Sequence, residues 1–305
     1  KLFQYKDKRS ELLSVLQSVN ESLGIKYPFT DKGVPEADIC PFTVFGCFNK
    51  GITDENRKAL MNEIRAKLGV QTKVPDSFDG IPVLNNMRAW FYGYKADRKP
   101  DDISNLWDVF DAALKYADGP SEVSKTAFIG CYDKVRSQLG IKWNITMGLF
   151  WVRPFAYLNL DQTNRRFLFN KNNPYHTELL KVSNLKQVPN AKIYLELISI
   201  CKDSFEKSDS PLRSFPELSY QAWTTSNNAG NAAASGGKTS IASFLKWFVP
   251  LITALKSIGG SGTPEQVRNQ IVADLNLSDA VINEVRGETK TKKFDNEVAW
   301  ARNYL

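Results

Sequence analysis

Few residues of this sequence could carry catalysis or hold a metal ion. His176 is the single histidine among 305 residues, which excludes a histidine-based triad and a histidine-rich metal site. This histidine lies in the polar run NKNNPYHTE, so we expect it at the surface. The four cysteines are far apart and show no CxxC spacing; they are Cys40, Cys47, Cys131 and Cys201. We therefore expect free thiols and no metal site.

A second candidate for chemistry is the run GGKTS at residues 236–240, which resembles part of a phosphate-binding loop. That loop needs a glycine five positions before the glycine that precedes the lysine, and the residue there is Ala232. No apolar strand leads into the run, and its neighbours are small and polar. Because the backbone cradle for phosphates is missing, we expect no nucleotide cofactor.

The third candidate is Glu288-Thr289-Lys290, which has the E-x-K spacing of many restriction nucleases. Nuclease chemistry needs clustered carboxylates, usually with a lysine, to hold a metal ion and activate water. This run has no supporting strand and no partner aspartate, so a solvated loop is the better interpretation. We expect no catalytic residue, and the chain alone is not expected to be an enzyme.

The tail, residues 241–305, shows the clearest helical patterns. Apolar residues recur at helical spacing from Phe244 to Leu255, and Gly259 and Gly260 end that helix. A second helix should follow directly. Its start signals are Thr263 as N-cap, Pro264 at the first position and Gln266, which completes a capping box.

A third helix is predicted from Ser278 to Arg286, and a basic stretch separates it from a helix that begins at Phe294. This order is the pattern of a winged helix-turn-helix, in which the third helix enters the major groove and the wing lies against phosphate. The predicted DNA-binding residues are Arg268, Asn283, Arg286, Lys290, Lys292 and Lys293. The alternative is a small helical bundle that binds protein.

Two runs of this tail closely resemble the N-terminal winged-helix domain of Mrr-type restriction proteins. They are WFVPLITALKSIGGSGTPEQVRNQIVADLNLSD and TKKFDNEVAWARNYL. Mrr-type proteins cut or sense modified DNA, and this domain serves them as a DNA-binding module. The resemblance therefore implies that residues 241–305 bind double-stranded DNA. In the Mrr type, a catalytic domain would normally follow such a domain.

The composition is that of an ordinary globular protein, with 42% hydrophobic and 24% charged residues. A net charge of +7 favours an anionic partner, of which nucleic acid is the commonest. No apolar run approaches the length of a membrane span, and no signal peptide opens the chain. We expect a cytoplasmic protein with no membrane partner.

A domain boundary is predicted from a shift in composition. Residues 224–240 read TTSNNAGNAAASGGKTS, which is typical of a flexible linker. The predicted fold class is therefore α+β. A mixed helix and sheet domain covers residues 1–223, which could divide into lobes at 1–118 and 119–223, and the winged helix covers 241–305.

Within the N-terminal domain, amphipathic patterns predict several helices and aromatic runs predict strands. The helices are Arg9–Leu23, Asp54–Leu68, Ile103–Tyr116, Ser124–Leu139 and Ala191–Phe205. The strands are predicted at Ala89–Tyr94 and, as a pair, within Trp143–Leu160.

Two polar runs that follow aromatic segments indicate a weak internal repeat. The first contains Asp54, Asn56 and Arg57, and the second contains Asp161, Asn164 and Arg165. The alternative is a coincidence between two helix starts.

Aromatic residues also cluster with polar side chains in two segments of this domain. A pocket for a flipped, modified base needs stacking faces together with donors and acceptors for the base edge. The predicted pocket residues are Asp79, Asn85, Asn86, Trp90, Tyr92, Trp143 and Trp151. The alternative is that these aromatic side chains pack the core of a sheet.

Three runs within residues 38–170 resemble the region that precedes the motor domain in some McrB-like restriction NTPases. They are PFTVFGCFNKGITDENR, SFDGIPVLNN with the later WFYGY, and NITMGLFWVRPFAYLNLDQTNR. In those proteins this region is where target recognition is placed. The resemblance implies recognition of a DNA target and carries no catalytic role.

These features predict the non-catalytic DNA-recognition part of a modification-dependent restriction or anti-phage system. The winged helix would bind duplex DNA, and the N-terminal domain would sense a feature such as a modified cytosine. A nuclease or NTPase subunit or domain is the expected protein partner. Two alternatives stay open: a winged-helix transcriptional regulator and an assembly adaptor for such a subunit.

Overall fold

The computed structural model describes residues 1–85, 89–173, 176–182, 185–208, 210–231, 247–285 and 292–303. The chain forms two compact units. The first unit is Lys1–Val74 with Gly80–Ser226, and the second is Pro75–Asp79 with Asn227–Leu305. No helix of the described residues is both long and apolar enough to cross a membrane.

The regular secondary structure of the first unit is almost entirely helical. A two-stranded antiparallel sheet, β1 (Thr30–Asp31) and β2 (Val34–Pro35), is its only sheet within the described residues. The predicted mixed helix and sheet domain is therefore α+β only in a coarse sense. Its α-helices are α1 Arg9–Ser22, α2 Pro41–Phe48, α3 Asp54–Lys67, α4 Asp102–Asp118, α5 Glu122–Arg136, α6 Asn144–Val152, α7 Gln162–Leu168, α8 His176–Val182 and α9 Ala191–Phe205. Helix α10, Phe215–Asn231, begins in this unit, and its residues from Asn227 onward are assigned to the second unit.

The strand predictions for the aromatic runs were wrong. Residues 144–152 form helix α6, and residues 89–94 are irregular. Seven of the nine residues of α6 are buried, so the helix has almost no polar face that would reveal its period. A short apolar run that is buried on all sides cannot be assigned to strand or helix from periodicity alone. The five predicted helices are confirmed, with ends shifted by up to three residues.

Helices α2 and α6 lie together in the core and approach closely at glycine. A Cβ atom on Gly148 of α6 would lie 2.6 Å from the ring of Phe42 in α2. Phe42 in turn stacks on Phe91 with ring centroids 5.5 Å apart. The irregular segment 89–92 is thus held against both helices by its Phe91 side chain, which is fully buried.

The predicted division into lobes at residue 118 is not seen. Helix α4 packs along α5 across that boundary, and both belong to the first unit. Phe128 of α5 stacks on Tyr116 of α4 and on Tyr157, with centroids 5.7 and 5.4 Å apart. The phenol of Tyr157 donates a hydrogen bond of 2.7 Å to the carbonyl oxygen of Ala113. These buried aromatic contacts make one core from both predicted lobes.

The two runs of the predicted repeat start helices α3 and α7 in the same way. Thr53 caps α3 by accepting from Asn56 N–H, and Asp161 caps α7 by accepting from Asn164 N–H. Arginine follows the asparagine in each helix. The structure therefore aligns Thr53, and not Asp54, with Asp161.

The second unit contains α11 Phe248–Ser257, α12 Pro264–Asp274, α13 Asp279–Ile282 and α14 Lys293–Asn303. Gly259 and Gly260 end α11 with φ values of 88° and 87°, as predicted. The capping box of Thr263 and Gln266 is also confirmed. In the core of this unit the indole N–H of Trp247 donates to Glu297 Oε2 at 2.7 Å.

Helix α13 is shorter than the predicted Ser278–Arg286 helix. It ends at Ile282 because Val285 is extended and forms an antiparallel bridge with Lys292. The backbone N–H of Lys293 also donates to Glu284 O at 2.7 Å, so two positions pair across this point. The residues between, 286–291, lie outside the described part of the chain, and a wing there stays a prediction.

The predicted linker, residues 224–240, overlaps helix α10. Residues 224–231 are helical, which places the start of any linker later than the composition indicated. Residues 232–240 lie outside the described residues.

Cysteine reactivity provides a test of the first unit's packing. Burial raises the pKa of Cys40, Cys47 and Cys201 to about 12, whereas Cys131 is half-buried and its pKa is raised less. Because only the thiolate reacts, we expect Ellman's reagent at pH 8 to modify Cys131 first and the other three only on unfolding. A Cys131→Ser variant should lack the fast phase. Rapid reaction of several thiols in native protein would contradict this packing.

Candidate nucleic-acid interface

Of the candidate DNA-binding residues, Asn283, Lys292 and Lys293 lie at or next to the bridge between Val285 and Lys292. Asn283 is exposed at the C-terminal end of α13, two residues before the bridge. The side chain of Lys292 is exposed at the bridge itself. Arg286 and Lys290 lie outside the described residues.

The lysines on either side of this point differ in their surroundings. Lys293 Nζ lies 2.8 Å from Glu284 Oε1, with the lysine side chain 33% and the glutamate 53% exposed. An ion pair this exposed is worth little in stability, but it partly compensates the lysine charge. We therefore expect Lys292 to contribute more to phosphate attraction than Lys293.

Arg268 has partners within the second unit that the sequence analysis did not predict. Its Nε donates to Asp295 Oδ1 at 2.6 Å, and its guanidinium lies 5.4 Å from the centroid of the Phe294 ring. The side chain therefore connects α12 to the first turn of α14. Sequence reasoning missed this role because Asp295 lies 27 residues away and no local pattern links the two.

We predict that Arg268→Ala lowers the stability of the second unit by about 1 kcal/mol, since a partly exposed, charge-assisted contact is lost. Its effect on DNA affinity should be small. Lys292 forms no ion pair with the residues that the structure describes, so Lys292→Ala removes the same charge and should lower DNA affinity while leaving stability unchanged. Urea unfolding, followed by Trp fluorescence, measures the change in stability of each variant, and a DNA-binding titration measures its change in affinity. The opposite pattern would place Arg268 on the DNA.

Two of the predicted base-pocket residues lie together in the first unit. Trp90 and Tyr92 have ring centroids 5.3 Å apart. Tyr92 is only 3% exposed, and its phenol donates to the Asp38 carbonyl oxygen at 3.3 Å. The guanidinium of Arg98 covers its ring at 5.2 Å and forms a two-pronged contact with Glu36 at 3.0 and 2.8 Å. Tyr92 is thus used in packing, and the partly exposed Trp90 is the better stacking surface.

The other predicted pocket residues are dispersed. Trp151 donates its indole N–H to Pro82 O at 3.0 Å and meets Phe91 edge-on at 6.1 Å. Trp143 lies under the guanidinium of Arg165, 3.7 Å from the ring centroid. Asn85 is exposed, and Asn86 lies outside the described residues. Asp79 belongs to the second unit, where it accepts from the Ser77 hydroxyl at 3.1 Å.

A cleft of about 240 Å³ lies elsewhere in the first unit, between α1 and α3. Its walls are mostly aliphatic, with Lys26, Lys50 and Asn56 among the polar residues that line it. None of the described residues of the predicted base pocket lines this cleft. The sequence analysis did not find it because its walls come from α1 and α3, which are separated along the chain by β1, β2 and α2.

The chain is thus a mainly helical protein of two units. The surfaces that are candidates for DNA binding carry cationic and aromatic side chains. Among the residues the structure describes, no group of three or more His, Cys, Asp or Glu could hold a metal ion.

Residues 1–225 match the family described as Domain of unknown function (DUF8425). The chain belongs to this family. Residues 244–305 match the Mrr N-terminal domain, which associates this part of the chain with restriction systems. No curated protein and no solved structure matches the chain. No match connects residues 38–170 with McrB-like proteins, so that resemblance stays a prediction.

Proposed function

We propose that this chain is a DNA-recognition component of a modification-dependent restriction system. The second unit binds the backbone and groove of duplex DNA, and the first unit reads a feature of the bound DNA, a modified cytosine being the proposed target. Cleavage belongs, in this proposal, to a separate nuclease or NTPase subunit or domain.

The observation that carries the proposal is the match of residues 244–305 to the Mrr N-terminal domain. The geometry at the bridge supports it. A short helix, α13, presents Asn283 to solvent, and the bridged positions 285 and 292 bound a segment that contains Arg286 and Lys290. A helix followed by a basic, bridged segment is the arrangement that winged helices use to contact groove and phosphate together.

Recognition of a base by the first unit rests on its partly exposed indoles. Trp90, Trp143 and Trp151 are all incompletely buried, although the chain buries most of its other large aromatic rings in this unit. Such surfaces stack on bases, and each stacked base contributes on the order of 1–3 kcal/mol. Both Trp90 and Trp151 lie against the segment 89–92, with Trp90 beside Tyr92 and Trp151 beside Phe91, and we favour these two indoles for contact with an extruded base.

The test is a salt titration of the full chain on a labelled duplex, followed by fluorescence anisotropy. Binding through several phosphates predicts that log Kobs falls linearly with log salt, with a slope close to −0.9 per phosphate contact. Absence of any salt-dependent binding would overturn the proposal and favour a protein-binding role for both units.

A further inference from the structure

The stack of Arg165 on Trp143 is an exposed contact that the fold does not explain. The guanidinium carbon lies 3.7 Å from the centroid of the indole ring, and both side chains are partly exposed. Arg165 Nε donates to the Asp161 carbonyl oxygen at 3.3 Å. Within the described residues, Arg165 forms no ion pair, and its terminal nitrogens are not used in the hydrogen bond to Asp161.

The corresponding arginine at the start of α3, Arg57, differs from Arg165 in its burial and in its hydrogen-bond partner. Arg57 follows Asn56 as Arg165 follows Asn164, but Arg57 is only 4% exposed. Its Nη2 donates to the side-chain oxygen of the buried Asn49. One copy of the motif thus buries its arginine in the unit, and the other directs its arginine to the surface on top of a tryptophan.

Two further cations, Arg166 and Lys142, flank the contact of Arg165 with Trp143 in sequence. Arg166 is exposed beside it, and Lys142, which precedes Trp143, is exposed and has no ion pair among the described residues. The carboxylate of Asp161 acts on Arg165, but its Oδ1 is already the acceptor that caps α7. Partial burial lowers the pKa of Arg165, and Arg166 adds to the effect while Asp161 opposes it. An anion bound here would relieve the repulsion between neighbouring cations.

We propose that Trp143, Arg165, Arg166 and Lys142 form a second DNA-contact surface, on the first unit, in which Arg165 binds a backbone phosphate. The surface rests on the proposed DNA-binding function and adds to it a contact outside the Mrr-like unit. The Arg165 guanidinium, held 3.7 Å over the indole, offers terminal N–H groups in the fork that matches two phosphate oxygens. Because the stack fixes the side chain before binding, little rotamer freedom is lost when the phosphate is bound.

The experiment compares Arg165→Gln with Arg153→Gln in the full chain, by salt-titrated anisotropy on one duplex. Arg153 is the matched control because its guanidinium is already paired with Asp118, with both contacts at 2.7 Å. Arg165→Gln should reduce the salt slope by about one and weaken binding roughly three- to tenfold, whereas Arg153→Gln should leave both unchanged. Arg165→Lys should restore the slope with weaker affinity, since the charge returns without the planar fork.

The outcomes separate the two proposals. If the wild-type chain binds no DNA, the proposed function and this surface both fail. If wild type binds and Arg165→Gln matches it in slope and affinity, this surface is overturned and the proposed function stands. Equal losses in Arg165→Gln and Arg153→Gln would also overturn it, because they would report net charge alone. Circular dichroism and melting temperature check that each variant is folded. If Arg165→Gln does not fold, Arg165→Lys is compared with wild type instead, and unchanged affinity would then overturn this surface.

Discussion

Replacing Lys290, Lys292 and Lys293 together by glutamine is expected to weaken DNA binding by one to two orders of magnitude at low salt. Each lysine that lies against phosphate releases counterions on binding, so each removal should lower the salt slope by about one. We expect a total change between two and three, because Lys293 already shares its charge with Glu284 at 2.8 Å. Salt-titrated anisotropy of the full chain measures both quantities.

The control for this variant removes three lysines that are paired on the surface of the first unit. Lys115, Lys125 and Lys181 form ion pairs within their own helices at 2.8, 3.4 and 2.7 Å. Their replacement by glutamine changes the net charge equally and should alter affinity far less. If both triple variants lost affinity to the same extent, the basic segment after α13 would not be the DNA contact.

Gly140→Ala is expected to destabilise the first unit by roughly 3 kcal/mol, from backbone strain and overpacking combined. Gly140 has φ +92°, where a residue with a side chain is strained, and an added Cβ would lie 2.8 Å from the backbone of Tyr92. That neighbour is main chain and cannot rotate away. Gly140 O also accepts from Asn144 Nδ2 at 2.9 Å, so the turn fixes the start of α6 next to Trp143.

Gly130→Ala is the matched control for that variant. Gly130 lies in the middle of α5, is exposed, and an added Cβ would have no heavy atom within 4 Å. Alanine there should stabilise the protein by about 0.5–1 kcal/mol, from helix propensity and a less flexible unfolded chain. Urea unfolding of both variants gives the comparison. Equal stability of Gly140→Ala and wild type would show that residues 139–144 do not pack on the 89–94 segment as described.

Local signals predicted the second unit well. The Thr263 to Gln266 capping box and the glycines at 259 and 260 act within a few residues, so their sequence neighbours suffice to predict the helix ends. The length of the third helix was not predictable in the same way. It depends on the pairing of Val285 with Lys292, which stops α13 before the residues that propensity alone would include.

The first unit shows where sequence patterns fail. Helix α6 is buried on nearly every side, so its period is hidden and its aromatic residues suggested strands. The matched motifs of α3 and α7 fail differently, because they are alike in sequence and differ in surroundings. Arg57 meets Asn49 inside the unit, and Arg165 meets Trp143 at the surface. Only tertiary contacts decide which arginine remains available to a ligand.

The fold brings some of the predicted base-pocket residues together and separates the others. The rings of Trp90 and Tyr92 are in contact, and Trp151 contacts the neighbouring Phe91. Tyr92, however, is buried beneath Arg98. Aromatic content by itself does not distinguish a stacking surface from a core, since both need large flat rings. The partly exposed indoles therefore remain the residues to substitute first in any study of base recognition.

The measurement that tests the central claim most directly is binding of the full chain to three duplexes of one sequence. Their cytosines would be unmodified, 5-methylated or 5-hydroxymethylated, and anisotropy would be recorded at two salt concentrations. We predict salt-dependent binding to all three duplexes and tighter binding to one of the modified forms. Equal affinity for the three would contradict recognition of a modified base, and no binding to any of them would contradict DNA recognition altogether.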